Sequence, residues 1–158
     1  MRKLSLAAAK VQNILKQLGL NSLVTEFSQS TKTSQEAAEA IGCQLGQIAK
    51  SLVFQTKSGK PILIIASGAN RVDEKKIEVL LGEPVKKAAA DFVYQKTGFA
   101  IGGIPPVGHR EKLKTFIDQD LLQYPEIWAA AGTPRAVFKI SPSDLVRITT
   151  GQVAIIKA

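Results

Sequence analysis

The sequence predicts a mixed α/β (α+β) fold: a mixed, partly closed β-sheet of about six or more strands with short helices packed around it. Three observations carry that expectation. Short β-branched segments and short capped helical segments interleave along the chain, without the strand–helix–strand rhythm of a doubly wound parallel sheet. Two apolar runs, Lys50–Thr56 and Pro61–Ser67, are separated by Lys57-Ser58-Gly59-Lys60, which is the signal of a β-hairpin. A chain of 158 residues, 45% hydrophobic and 22% charged, can bury one core without disulfide or metal staples, so a single domain over residues 1–158 is expected.

The elements follow in order. Leu4, Ala8, Val11, Leu15 and Leu18 recur at helical spacing and predict an amphipathic helix over about residues 4–18. Lys10, Gln12, Asn13 and Lys16 interrupt its apolar stretch, unlike a signal peptide. Leu23–Phe27 reads as a short strand. Thr33 with Glu36 three residues on forms a capping box for a short helix through Ile41. After the hairpin, Asp73 caps a helix with Ile77, Leu80 and Leu81 on one face, ended by Gly82 and Pro84. Val85–Ala88 is a strand, Asp91–Gly98 a helix and Lys112–Asp118 a strand. Ile127–Ile140 holds two strands around a Gly132-Thr133-Pro134 turn. Ser141, Pro142 at the first helical position and Asp144 open a last helix, and Gly151–Ala158 supplies a last strand.

The net charge of +8 favours a polyanionic partner, nucleic acid first, through counterion release. The apolar runs, such as Pro61–Ala66, are far shorter than the roughly 20 residues a membrane helix needs, so no membrane partner is expected. A single cysteine excludes an internal disulfide and points to a reducing, cytoplasmic setting. Cys43, between Ile41 and Leu45, reads as a small buried side chain. One Cys and one His cannot build an all-protein zinc site of the usual kind, so neither metal nor cofactor is expected.

Two features stand out as site candidates. Lys50 places a cation in the apolar run Ile48–Phe54; its ammonium either snorkels to water at a strand end or meets an anion. The stretch Gly102–His109, GGIPPVGH, combines glycines that permit positive φ with two prolines that stiffen the chain and remove donors. Such a loop can present backbone N–H groups to an anion or a polarised carbonyl, but it has neither Walker A nor dinucleotide spacing. His109, the only histidine, is a base, a hydrogen-bond donor to a ribose or phosphate, or a surface residue before Arg110, Glu111 and Lys112. The residues alone reach an anion-binding α/β domain.

Taken together, QIAKSLVF with Lys50, SGANRVDEKKIEVLLG, KTGFAIGGIPPVGH with its Gly102-x-x-x-Pro106 spacing, and GTPRAVFKISPSDLVRIT resemble the YbaK/prolyl-tRNA-synthetase-associated editing domain family, in family order from about residue 22 to 150. The resemblance implies a free-standing, metal-independent aminoacyl-tRNA deacylase that hydrolyses the ester of a mischarged tRNA. It implies that Lys50, with Ser51 beside it, reaches the terminal adenosine or its phosphate. The loop of Gly102, Gly103, Ile104, Pro105 and Pro106 then surrounds the aminoacyl carbonyl, and Lys50, Gly102 and His109 are the implied catalytic residues, Gly102 supplying stabilisation and His109 orienting the substrate with acid/base help. The implied partner is tRNA through its aminoacylated 3′ end, with an aminoacyl-tRNA synthetase as a further candidate. Branches acting on cysteinyl-tRNA carry Ser-Gly-Gly where this chain has Ala130-Ala131-Gly132, and an acidic residue near Val137, so cysteine specificity does not carry over. Ala130 and Gly132 instead either shape an apolar pocket for a small side chain or form an interior strand end. The alternative function is a non-catalytic tRNA- or nucleotide-binding module on the same scaffold.

Lys57, Lys60, Lys75, Lys76, Lys86 and Lys87 are the candidates for acceptor-stem contact. If about four phosphates are engaged, log affinity for tRNA falls against log salt with a slope of about −3 to −4. A filter-binding series in sodium chloride measures it, and a flat dependence would remove the electrostatic contribution.

Overall fold

Side-chain caps set where most of the helices begin. In the computed structural model, which describes residues 3–158, the Ser5 hydroxyl accepts the Ala8 N–H and opens α1, Leu6–Gln17. Thr33 accepts the Glu36 N–H at the start of α2, Ser34–Ile41. Its hydroxyl also donates to Glu36 Oε1 at 3.0 Å, a side-chain pairing where the capping box leads one to expect the carboxylate on the Thr33 backbone. Asp73 caps α3, Glu74–Leu81, through the Lys75 N–H, and Ser141 caps α5, Pro142–Thr149, through the Asp144 N–H. Asp144 itself turns to Arg147 at 3.3 Å. α4, Ala90–Thr97, begins at Ala89 without a side-chain cap.

The strands are β1, Val24–Glu26; β2, Ile48–Thr56; β3, Pro61–Ser67; β4, Val85–Lys87; β5, Lys114–Asp118; β6, Ile127–Ala130; β7, Ala136–Ile140; and β8, Gln152–Ala154. Among the described residues they form one mixed sheet of eight strands in the order β1-β7-β6-β2-β3-β5-β8, with β4 attached to β2. The expected hairpin pairs β2 with β3 antiparallel, Lys50 opposite Ala66 and Leu52 opposite Ile64. β3 then runs parallel to β5, and β5 parallel to β8.

β3 is apolar at successive positions because it buries both faces. Leu63 and Ile65 join the larger core with Val11 and Leu15 of α1, Val93 of α4 and Leu145 of α5. Ile62, Ile64 and Ala66 face the other way, onto Ile77 of α3, Phe54, Phe116 and Ile156. A third cluster joins Ala37 and Ala38 of α2 to Ile48, with Trp128, Leu45 and Cys43 packed against it. The predicted face of α3 is narrower than expected. Ile77 is fully buried but Leu80 is 37% exposed, because the face is covered at Ile77 and Leu81 only.

Leu63 is completely buried in the middle of the sheet, so Leu63→Ala is expected to cost about 2–5 kcal/mol in a urea unfolding series with an unchanged m-value. A loss under about 1 kcal/mol would mean that the surrounding core collapses into the space.

Candidate active site

β2 gives one edge to β3 along its length and divides the other between two strands. Ile48 and Ala49 pair with Trp128 and Ala129 of β6, whereas Phe54, Gln55 and Thr56 pair with β4. Between those ladders the edge is open apart from the Ala88 N–H donating to the Val53 carbonyl. A cavity of about 420 Å³ lies at this gap, and Lys50, Ser51 and Leu52 line it. A smaller apolar one of about 230 Å³ shares Ser51, Leu52, Ile101 and Ile104 with it.

Lys50 is half-buried, and its Nζ donates to the Asn70 carbonyl at 2.9 Å. An ammonium carries three N–H donors, so this bond leaves donor capacity for a ligand. Burial lowers its pKa from the ordinary lysine value; Lys87 and Arg71 push the same way and Asp118 opposes them. Ser51 Oγ is buried with no hydrogen-bond partner among the described residues.

The second wall is the loop after α4. Its ends are tied to Thr97, whose hydroxyl accepts the Phe99 N–H at 3.0 Å and whose carbonyl accepts the Arg110 N–H at 3.1 Å. Gly102 has φ +95° and touches Lys32: a β-carbon there would stand 2.6 Å from Lys32 Cγ. At Gly103 a β-carbon would meet the Thr133 backbone at 2.7 Å, so only glycine allows the loop to lie this close to the β6–β7 turn. The contact is sealed by the Gly132 N–H donating to the Gly103 carbonyl at 2.9 Å.

Lys50, Ser51, Gly102, Ile104 and Ala130 therefore meet at one cavity. Gly103, Pro105, Pro106 and Gly132 do not line it; they hold the loop, and both prolines are buried behind it. His109 is not brought there either. Its Nε2 bonds the Pro105 carbonyl at 2.7 Å, and since a carbonyl only accepts, Nε2 carries the proton.

Thr31–Gln35, which enters α2, forms the third wall with Trp128, and neither stands out in the sequence as a site candidate. Thr31 is held by its N–H on the Pro134 carbonyl at 2.7 Å, which docks this segment on the β6–β7 turn. The signal was present: a lysine beside a capped helix start favours anions. The lining contains no carboxylate, imidazole or thiol; Lys32 and Lys50 are its titratable side chains.

Comparison with known proteins finds relatives of the chain. A model of the aminoacyl-tRNA editing domain matches residues 28–148. The crystal structure of a protein described as a "putative trans-editing enzyme for prolyl tRNA synthetase" superposes with a TM-score of 0.94 at 47% identity, over 99% of each chain. The chain is 33% identical over 130 residues to "Uncharacterized protein YwhH" of Bacillus subtilis, covering 82% of this chain and 83% of that protein. It is 26% identical over 129 residues to "Putative Cys-tRNA(Pro)/Cys-tRNA(Cys) deacylase EbsC" of Enterococcus faecalis, covering 81% and 79%.

Burial holds the His109 imidazole below its usual pKa, against a smaller upward pull from the Pro105 carbonyl. The unfolded chain binds a proton near pH 6.5 that the folded chain resists, so this group's stabilisation is present above about pH 6.5. It is lost as pH falls through that value toward the lower folded one. His109→Gln, which can keep an N–H on the Pro105 carbonyl, is expected to flatten that component of the urea midpoint between about pH 7.5 and 5. An unchanged slope would discount the buried imidazole. His109→Ala leaves the carbonyl unpaired and is expected to cost about 1–3 kcal/mol.

Proposed function

The chain belongs to the aminoacyl-tRNA editing domain family, and on that premise we propose that it is a free-standing, trans-editing hydrolase that deacylates mischarged aminoacyl-tRNA carrying a small amino acid. The observation that carries this reading is the convergence of Lys50 and the Gly102 turn on one cavity of about 420 Å³. In this reading the aminoacylated adenosine enters the cavity. The Lys50 ammonium holds its phosphate or ribose end, contributing position and charge neutralisation.

The reaction adds a water oxygen to the ester carbonyl, forms a tetrahedral oxyanion, and breaks the bond to the ribose oxygen, which takes up the proton. Free amino acid and tRNA with an intact terminal hydroxyl leave. The Gly102 N–H, which has no hydrogen-bond partner among the described residues, is in this reading a donor to the oxyanion. One such donor is worth about 100- to 1000-fold in rate. The lining has no side chain of the usual kind to deprotonate water at neutral pH, and in this reading a substrate group, such as the ribose 2′-hydroxyl, assists the attack. Ala129, Ala130 and Val137 give the cavity an apolar wall that admits a small side chain and excludes larger ones. The partner is tRNA, met in the cytoplasm, with a synthetase as the source of the mischarged species.

Deacylation of alanyl-, cysteinyl-, seryl- and threonyl-tRNA by the purified protein tests the proposal. At least one is expected to be cleaved, and Lys50→Ala is expected to lose about 100-fold or more in kcat/KM while keeping its unfolding midpoint. Near-normal turnover in that variant would remove Lys50 from the site, and tRNA binding without cleavage across the panel would turn the reading to a binding module. The lowered Lys50 pKa adds a sign. Affinity for tRNA falls as pH rises toward the lysine range, beginning below the ordinary value, and Lys50→Arg abolishes that limb.

A further inference from the structure

A polar network, buried at Asp118 and partly exposed at Asn70 and Asp120, holds the acceptor of the Lys50 ammonium. The Asn70 carbonyl that receives the Lys50 ammonium lies in the turn between β3 and α3. That turn is not held by its own backbone alone. The Asn70 side-chain amide donates to Asp118 Oδ2 at 2.9 Å and to Asp120 Oδ2 at 2.8 Å, so two carboxylates grip one amide. Asp118, 1% exposed at the end of β5, also accepts the Ser67 N–H on Oδ2 and the Asp120 N–H on Oδ1, both at 3.0 Å.

The C-terminal segment closes the network from outside. Lys157 pairs with Asp120 at 3.0 Å, the Ala158 N–H donates to the Arg71 carbonyl, and the Asp73 N–H donates to the Ile156 carbonyl. The turn carrying the Asn70 carbonyl is therefore fixed on both sides, by β5 and by the chain's last residues.

A four-carbon lysine stem has many rotamers, and a half-buried ammonium needs both an acceptor and a counter-charge to hold one of them. The Asn70 carbonyl supplies the acceptor. Lys87 on β4 and Arg71 in the turn repel the ammonium, and Asp118 is the negative group that opposes them. We propose that Asn70, gripped by Asp118 and Asp120, is the positioning residue that aims the Lys50 ammonium into the cavity, and that Asp118 supplies the buried counter-charge for it. This rests on the function assigned to Lys50 above and extends it to residues that do not touch the substrate. It also explains why a buried carboxylate and an asparagine stand behind a site whose own wall contains neither.

The test has one readout that does not depend on turnover. The Lys50 Cε signal, identified by its loss in Lys50→Arg, is followed by carbon-13 NMR through an alkaline titration. Asp118→Asn is expected to lower the Lys50 midpoint by about 0.5–1 pH unit, the effect of removing one buried opposing charge nearby. Asn70→Ala, which leaves both carboxylates and removes only the amide that joins them to the turn, is expected to lower kcat/KM about 10- to 100-fold at temperatures below its unfolding transition. If Asp118→Asn does not fold, Asn70→Ala decides the question. A wild-type midpoint in Asp118→Asn or a wild-type kcat/KM in Asn70→Ala overturns the proposal. If Lys50→Ala is inactive while both variants behave as wild type, only the positioning role falls; full turnover in Lys50→Ala overturns the function itself.

Discussion

The site depends on how β2 shares its hydrogen bonds. A strand has two edges, and β2 needs both: one is filled by β3, the other is split between β6 at its start and β4 at its end. A strand whose outer edge was paired throughout would have no room for a ligand. Here the two partners diverge, and residues 50–52 look into the gap. The sheet thus holds the strand through β3 while leaving the middle of its other edge unpaired, and a rigid element presents a side chain more accurately than a loop does.

The same constraint explains the distribution of glycine and proline. The Gly102–His109 loop has to lean onto the β6–β7 turn to form the second wall, and Gly103 makes that approach possible by lacking a β-carbon. Pro105 and Pro106 are buried behind the wall, where their missing N–H groups need no partner. His109, whose imidazole invites a catalytic role, works as the tie between the two ends of that buried stretch.

Lys50 illustrates the balance between cost and use. Burying a cation beside Lys87 and Arg71 disfavours its charge, and the molecule offsets this with a carbonyl acceptor and a buried carboxylate rather than with a direct ion pair. A direct pair would have neutralised the ammonium and occupied it. A carbonyl anchors it without neutralising its charge.

Much of the fold was legible because its causes are local. Thr33, Asp73 and Ser141 cap the helices they were expected to cap, and the Lys57–Lys60 turn joins the hairpin as its composition requires. Lys50 was conspicuous because a charge in an apolar run has to be explained, and the Gly102 loop because its backbone chemistry is unusual. Which of these residues share a cavity could not be read that way. Lys32, Lys50, Gly102 and Trp128 are far apart in the chain, and they meet only because β6 pairs with the start of β2 and the Gly103 carbonyl meets the Gly132 N–H. The amino-acid order by itself determined where elements begin, end and turn, since those outcomes rest on neighbours within a few residues. Only the tertiary structure decided that His109 faces inward onto Pro105 and that Asn70 backs Lys50, because hydrogen bonds between distant segments depend on how the strands are ordered.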